Sequence, residues 1–142
     1  YGQKWISYKG NLFVSIFFSI NNIDLSLKEL TKINCLLVKR FLSTFYKGKI
    51  TIKEPNDLLI KRKKISGILQ EVLSKSGNRY IVIGIGLNLI KSPNIKNYST
   101  TNLLDLTNVK INTSKATLIL KKIYEKFIPM FPKFNVKNIG KI

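Results

Sequence analysis

At 142 residues, 44% of them hydrophobic and 11% aromatic, the chain has the length and apolar content for one domain with a buried core, which excludes a disordered segment. A single cysteine excludes an internal disulfide framework and points to a reducing, cytoplasmic setting, while the absence of histidine excludes Ser-His-Asp and Cys-His nucleophilic schemes and the common zinc sites. The net charge of +18 invites a nucleic-acid partner, yet only Arg40, Arg62 and Arg79 are guanidinium groups and the lysines are scattered, so a solvated basic surface is the expected reading.

Residues 11–20 read as a buried strand rich in Phe, Ile and Val, broken by Ser15 and Ser19 and far short of the roughly 20 residues of a membrane span. Asn21-Asn22 is a turn. Ser26 and Glu29 form a capping box, and the spacing of Leu27, Leu30, Ile33, Leu37, Phe41 and Phe45 predicts a helix to about Tyr46, ended by Gly48. Residues 49–53 and 58–60 read as short strands on either side of Pro55, with a basic turn at 61–64. Residues 65–73 and 80–89 predict a β-hairpin across Lys75-Ser76-Gly77-Asn78. A polar loop at 93–101 and a helical turn at 103–106 precede a second amphipathic helix over 114–131. That helix is expected to turn Leu118, Ile119, Ile123 and Phe127 inward and to fray at Pro129 and Pro132. The tail from 133 to 142 has no clear pattern. The fold class is α+β: a mostly antiparallel sheet with helices packed on one face.

Three strings set polar side chains beside Pro or Gly at strand ends. Lys53-Glu54-Pro55-Asn56-Asp57-Leu58 is ordinary turn chemistry when taken alone. In Lys64-Ile65-Ser66-Gly67-Ile68-Leu69-Gln70-Glu71 the lysine belongs to a basic run but directly precedes a strand glycine, where another group can approach bare backbone. Gly84-Ile85-Gly86-Leu87-Asn88 lacks the third glycine and the following helix of a dinucleotide fingerprint, and its glycines alone would only admit a neighbouring side chain. Cys35, in mid-helix without a basic neighbour, reads as a small apolar residue.

In this order and spacing the three strings resemble the catalytic domain of biotin–protein ligases, on a class II synthetase-like biotin/lipoate ligase fold. The resemblance implies ATP-dependent conversion of biotin to biotinyl-adenylate and its transfer to a lysine of the biotin carboxyl carrier protein of acetyl-CoA carboxylase. It implies that Lys64 contacts the biotin carboxylate and adenylate phosphate, that Gly67, Gly84 and Gly86 wall the biotin slot, and that Asn88 bonds the adenylate. Lys53, Asn56 and Asp57 would line the nucleotide site, with Asp57 suited to magnesium. Glu54 stands where the family usually has Trp, and Gln3 where an Arg is common. Trp5 would stack near the ligands or serve as a core or edge aromatic.

The family pattern further implies that residues 1–142 are the C-terminal two-thirds of a catalytic domain. Its ureido-binding Ser/Thr motif and most of a Gly/Arg-rich loop would lie upstream. No DNA-binding domain or membrane segment is seen, and a homodimer is a possible assembly. Carriers in this family are typically acidic, so the basic surface would steer them. A lipoate ligase or octanoyl transferase of the same fold, a basic nucleic-acid-binding module, and an inert remnant are the rival readings.

Overall fold

The computed structural model describes residues 8–135, 137–139 and 142. Five strands, β1 (Leu12–Ser19), β2 (Thr51–Lys53), β3 (Asp57–Ile60), β4 (Lys63–Lys75) and β5 (Asn78–Leu87), form one sheet in the order β1-β5-β4-β3-β2. Every ladder between these strands is antiparallel; short turns require this for β2–β3, β3–β4 and β4–β5, while β1 joins β5 from across the chain. Three α-helices accompany it: α1 (Leu27–Phe45), α2 (Leu103–Thr107) and α3 (Thr113–Phe127), the last running into a 3-10 helix at Ile128–Lys133. No helix among the described residues is long and apolar enough to cross a membrane.

The α+β expectation holds, with α1 and α3 on one face of the sheet. That face presents Ile68, Ile81, Ile83, Ile85 and Leu87 to Leu30, Ile33, Leu37, Val38 and Phe41 of α1 and to Leu120 and Phe127 of α3 in one continuous core. Helix α1 starts as its sequence predicts. The Ser26 hydroxyl accepts from the Glu29 amide at 3.1 Å while the Glu29 carboxylate accepts from the Ser26 amide at 2.9 Å. The long hairpin turns at Ser76 and Gly77, both left-handed, which matches the twist of the flanking strands.

Several expectations are corrected. Strand β1 is an edge strand with only one face packed, so Phe13 and Phe17 point outward, Phe17 remaining 60% exposed against the stacked ring of Tyr80. Leu27 is exposed in the first turn of α1, before the helix reaches the sheet. Helix α1 ends at an extended Tyr46 instead of a glycine cap; Gly48 is needed because a Cβ there would strike the Tyr46 ring. In α3 the inward stripe is Ala116, Leu120, Tyr124 and Phe127, leaving Leu118 exposed and Ile119 and Ile123 at its flank. Tyr124 wins a core place because its hydroxyl donates to Asn34 at 2.9 Å, and the Asn34 amide in turn donates to Gln70 at 2.7 Å. This buried polar relay ties α3, α1 and β4 together.

Candidate active site

The face of the sheet away from the helices carries the residues that the three strings single out. Strand pairing places Lys53 opposite Asp57, Asp57 opposite Gly67, Gly67 opposite Gly86 and Gly86 opposite Phe13. Directly paired residues share a face, so one row crosses all five strands. Its centre is bare main chain at Gly67 and Gly86, flanked by a carboxylate on one side and an aromatic ring on the other. At the usual strand spacing this floor is about 14 Å from Asp57 to Phe13. Gly84 belongs to the same face, but there a Cβ would lie 3.2 Å from Phe13 Cζ and 3.7 Å from Leu69 Cβ. Glycine at 84 therefore makes room for the Phe13 ring, whereas the floor proper is Gly67 and Gly86.

Lys64 reaches this face through an irregularity. In a regular strand it would share the helix-side face with Ser66 and Ile68. Leu58 pairs with Ser66, however, and Leu59 with Lys64, so Ile65 is an extra residue on β4. The bulge reverses the alternation and puts Lys64 on the side of Leu59 and Asp57. Its Nζ lies 3.0 Å from Asp57 Oδ1, the two side chains being only 14% and 24% exposed. A partly buried, hydrogen-bonded pair of this kind is worth more than a surface ion pair and holds the ammonium in a fixed direction. The basic turn beside it is shorter than expected: Lys61 and Arg62 alone turn the chain, both left-handed, and Lys63 already pairs in β4.

The remaining predicted residues fall into two groups. Asn56 sits at the turn before β3, where its Nδ2 donates to the Ile68 carbonyl at 2.7 Å and its own carbonyl accepts from the Ile68 amide at 3.0 Å. Lys53 is exposed at the end of β2, next to Asp57 across the ladder. Asn88, expected to bond the adenylate, is turned inward among described partners. It is 1% exposed, and its Nδ2 donates to the carbonyls of Thr101 at 3.1 Å and Lys64 at 3.5 Å. The side chain therefore braces the start of β4 from behind. Trp5, like Gln3, lies outside the described residues.

Sequence reasoning overlooked Asn11. Its Oδ1 accepts from three successive amides, Leu89 and Ile90 at 3.0 Å and Lys91 at 3.1 Å, and its Nδ2 donates to the Lys91 carbonyl at 3.0 Å. A buried Asn directly after Gly10 was the available signal, but nothing local reveals that it bonds a segment nearly eighty residues away. Asn11 fixes the exit from β5, and with it Asn88 and the loop that follows.

Among the described residues no three His, Cys, Asp or Glu side chains gather to form a metal cage. Asp57 fits a hard cation that takes one carboxylate and completes its shell with phosphate oxygens and water. Behind Asp57, the Cys35 Sγ donates to the Pro55 carbonyl at 3.8 Å. Burial, and secondarily the Asp57 charge, push the Cys35 thiol up to about 12, which makes it inert.

A floor of main chain at Gly67 and Gly86, a fixed ammonium and a neighbouring carboxylate suit an apolar ligand carrying an anionic end. Residues 1–88 match the biotin/lipoate A/B protein ligase family. The chain is 29% identical over 126 residues to the bifunctional ligase/repressor BirA of Escherichia coli, covering 87% of this chain and 39% of BirA. Over 55 residues it is 40% identical to the biotin–[acetyl-CoA-carboxylase] ligase of Mycobacterium tuberculosis, covering 39% of this chain and 19% of that protein. It superposes on the biotin protein ligase of Aquifex aeolicus in complex with biotin and ATP with a TM-score of 0.79 and 28% identity, covering 99% of this chain and 60% of the other. The chain thus spans less than two thirds of each of these proteins. With 88 of its 142 residues matching the family pattern, and its fold shared with a solved ligase, the chain belongs to the biotin/lipoate A/B protein ligase family.

Proposed function

We propose that this chain is the Lys64-bearing part of a biotin–protein ligase, whose chemistry is ATP-dependent activation of biotin to biotinyl-adenylate, then transfer to a lysine of a biotin carboxyl carrier protein. The observation that carries this reading is the Lys64 ammonium, held 3.0 Å from Asp57 beside the glycine floor of Gly67 and Gly86. The Aquifex aeolicus relative, which binds biotin and ATP, and the curated relatives named as ligases support it.

Biotin packs against the main chain of Gly67 and Gly86, which carry no side chains of their own, and its carboxylate meets Lys64. The ammonium offsets the negative charge that grows as a carboxylate oxygen attacks the α-phosphorus of ATP and pyrophosphate departs. Its pairing with Asp57 means this charge is oriented before substrate arrives, which lowers reorganisation during the reaction. Magnesium held by Asp57 would neutralise charge on the ATP phosphates. Lys53 and Asn56 flank Asp57 at the nucleotide end. In the second step the carrier amine attacks the mixed anhydride and AMP leaves. Adenylation has already supplied a good leaving group, which suits a site without histidine. Asn88 braces the main chain of Lys64 through its carbonyl. The net charge of +18 steers an acidic carrier toward the site in the cytoplasm.

Exchange of labelled pyrophosphate into ATP tests the proposal. Stimulation by biotin and not by lipoate or octanoate is expected. Stimulation by lipoate in place of biotin would assign the site to the other branch of the family. Tight, salt-sensitive nucleic-acid binding without any exchange would overturn the ligase reading altogether.

A further inference from the structure

We propose that Tyr98 is a positioning residue for Lys64, its ring restraining the ammonium beside Asp57; the consequence for catalysis, though not the restraint itself, rests on the ligase reading above. Tyr98 belongs to the polar loop at 93–101. The Lys64 Nζ lies 5.3 Å from the centre of its ring, within cation–π range, and the ring is 43% exposed.

The same segment grips the Lys64 main chain. The Lys64 amide donates to the Ser99 carbonyl at 2.9 Å, the Thr101 amide donates to the Lys64 carbonyl at 2.9 Å, and Lys64 and Thr100 form a parallel bridge. The loop is closed on itself, with the Thr100 hydroxyl donating to the Pro93 carbonyl at 2.6 Å and the Asn102 amide to the Ser92 hydroxyl at 2.8 Å. A backbone grip fixes only the Cα of a lysine, whose stem keeps four rotatable bonds. The ammonium needs restraints of its own, and two of different chemistry come from described residues. Asp57 attracts it as an anion and therefore competes with an anionic substrate for the same charge. The Tyr98 ring attracts it without neutralising it, so it restrains the ammonium and leaves the charge available.

Acylation of the native chain by a limiting amount of the N-hydroxysuccinimide ester of acetate, read as the ratio of Lys64 to Lys61 modification by peptide mass spectrometry, tests the restraint. Lys61 is the exposed reference amine. Tyr98→Leu should raise the ratio about two- to fivefold, Tyr98→Phe should leave it near the parent value, and Tyr98→Trp should lower it. The same series should change kcat/KM for biotin-dependent pyrophosphate exchange in the opposite order. An unchanged ratio in Tyr98→Leu, or a Phe variant that behaves like the Leu variant, would overturn the proposal. The Phe rescue separates a ring effect from a loosened loop. Should the parent chain show no biotin-stimulated exchange, the ligase reading fails while the acylation ratio still decides the role of Tyr98.

Discussion

Replacing Asn11 by alanine removes the acceptor of three consecutive backbone amides and the donor to the Lys91 carbonyl. The Leu89 amide is buried, so its lost partner costs about 2 kcal/mol in uncompensated desolvation. The amides of Ile90 and Lys91 are only partly buried, water replaces part of each bond, and together they add roughly 1 kcal/mol. The sum, about 3 kcal/mol, corresponds to a fall of roughly 1.5 M in the urea midpoint at the slope usual for small domains. Asn11→Asp keeps the acceptor for all three amides and turns a carboxylate oxygen on the Lys91 carbonyl in place of the donor, so its fall should be smaller than that of alanine. Equilibrium urea unfolding followed by tryptophan fluorescence, with circular dichroism as a second probe, measures both. The reasoning is refuted if the alanine variant unfolds within about 0.3 M of the parent, or if the aspartate variant is as damaged as the alanine one.

Other consequences are equally open to measurement. Gly84→Ala should destabilise by about 1 kcal/mol because the new methyl crowds the Phe13 ring, and Phe13→Ala should remove most of that cost in a double-mutant cycle on urea midpoints. The raised Cys35 thiol should react with an aromatic disulfide reagent at pH 8 at least roughly 100-fold more slowly in the native chain than after unfolding. The Glu29 carboxyl is held below its ordinary 4.5, first by the Ser26 amide and second by the Ser26 side chain. A depressed folded pKa means that its contribution is complete above about pH 4.5 and disappears as pH falls through the lower folded value. The stability difference between the parent and Glu29→Gln should therefore shrink in acid and stay flat above pH 5.

Local rules made much of this molecule legible. The capping box, the helical period of α1, the long hairpin and the glycine strings each depend on neighbours within a few residues, and each appears where the pattern puts it. The α+β class followed from their order. What failed was set by tertiary context. Nothing in residues 11–20 tells a central strand from an edge strand, because an edge is defined by the absence of a neighbour. Tyr124 stood outside the expected inward stripe, and its buried hydroxyl finds its partner in Asn34, ninety residues earlier. At the site, the floor of Gly67 and Gly86 was readable as glycine among β-formers, but the face on which Lys64 emerges was not. Strict alternation assigns that lysine to the helix side, and only the extra residue at Ile65 reverses it. The surroundings of Asn88 and Tyr98 were hidden for a similar reason. The amide beside the glycine string turns inward to brace Lys64, and the aromatic in an unremarkable loop lies over its ammonium.

The central claim is that the Lys64 ammonium is the cation that meets the activated carboxylate and its phosphate. Calorimetric titration of the chain with a non-hydrolysable biotinyl-adenylate mimic that keeps an anionic linkage tests it most directly, comparing the parent with Lys64→Met and Lys61→Met. Losing one charge-assisted bond should weaken Lys64→Met about 10- to 100-fold while Lys61→Met, altered only in the exposed turn, binds as the parent does. Equal affinity in all three would contradict the account.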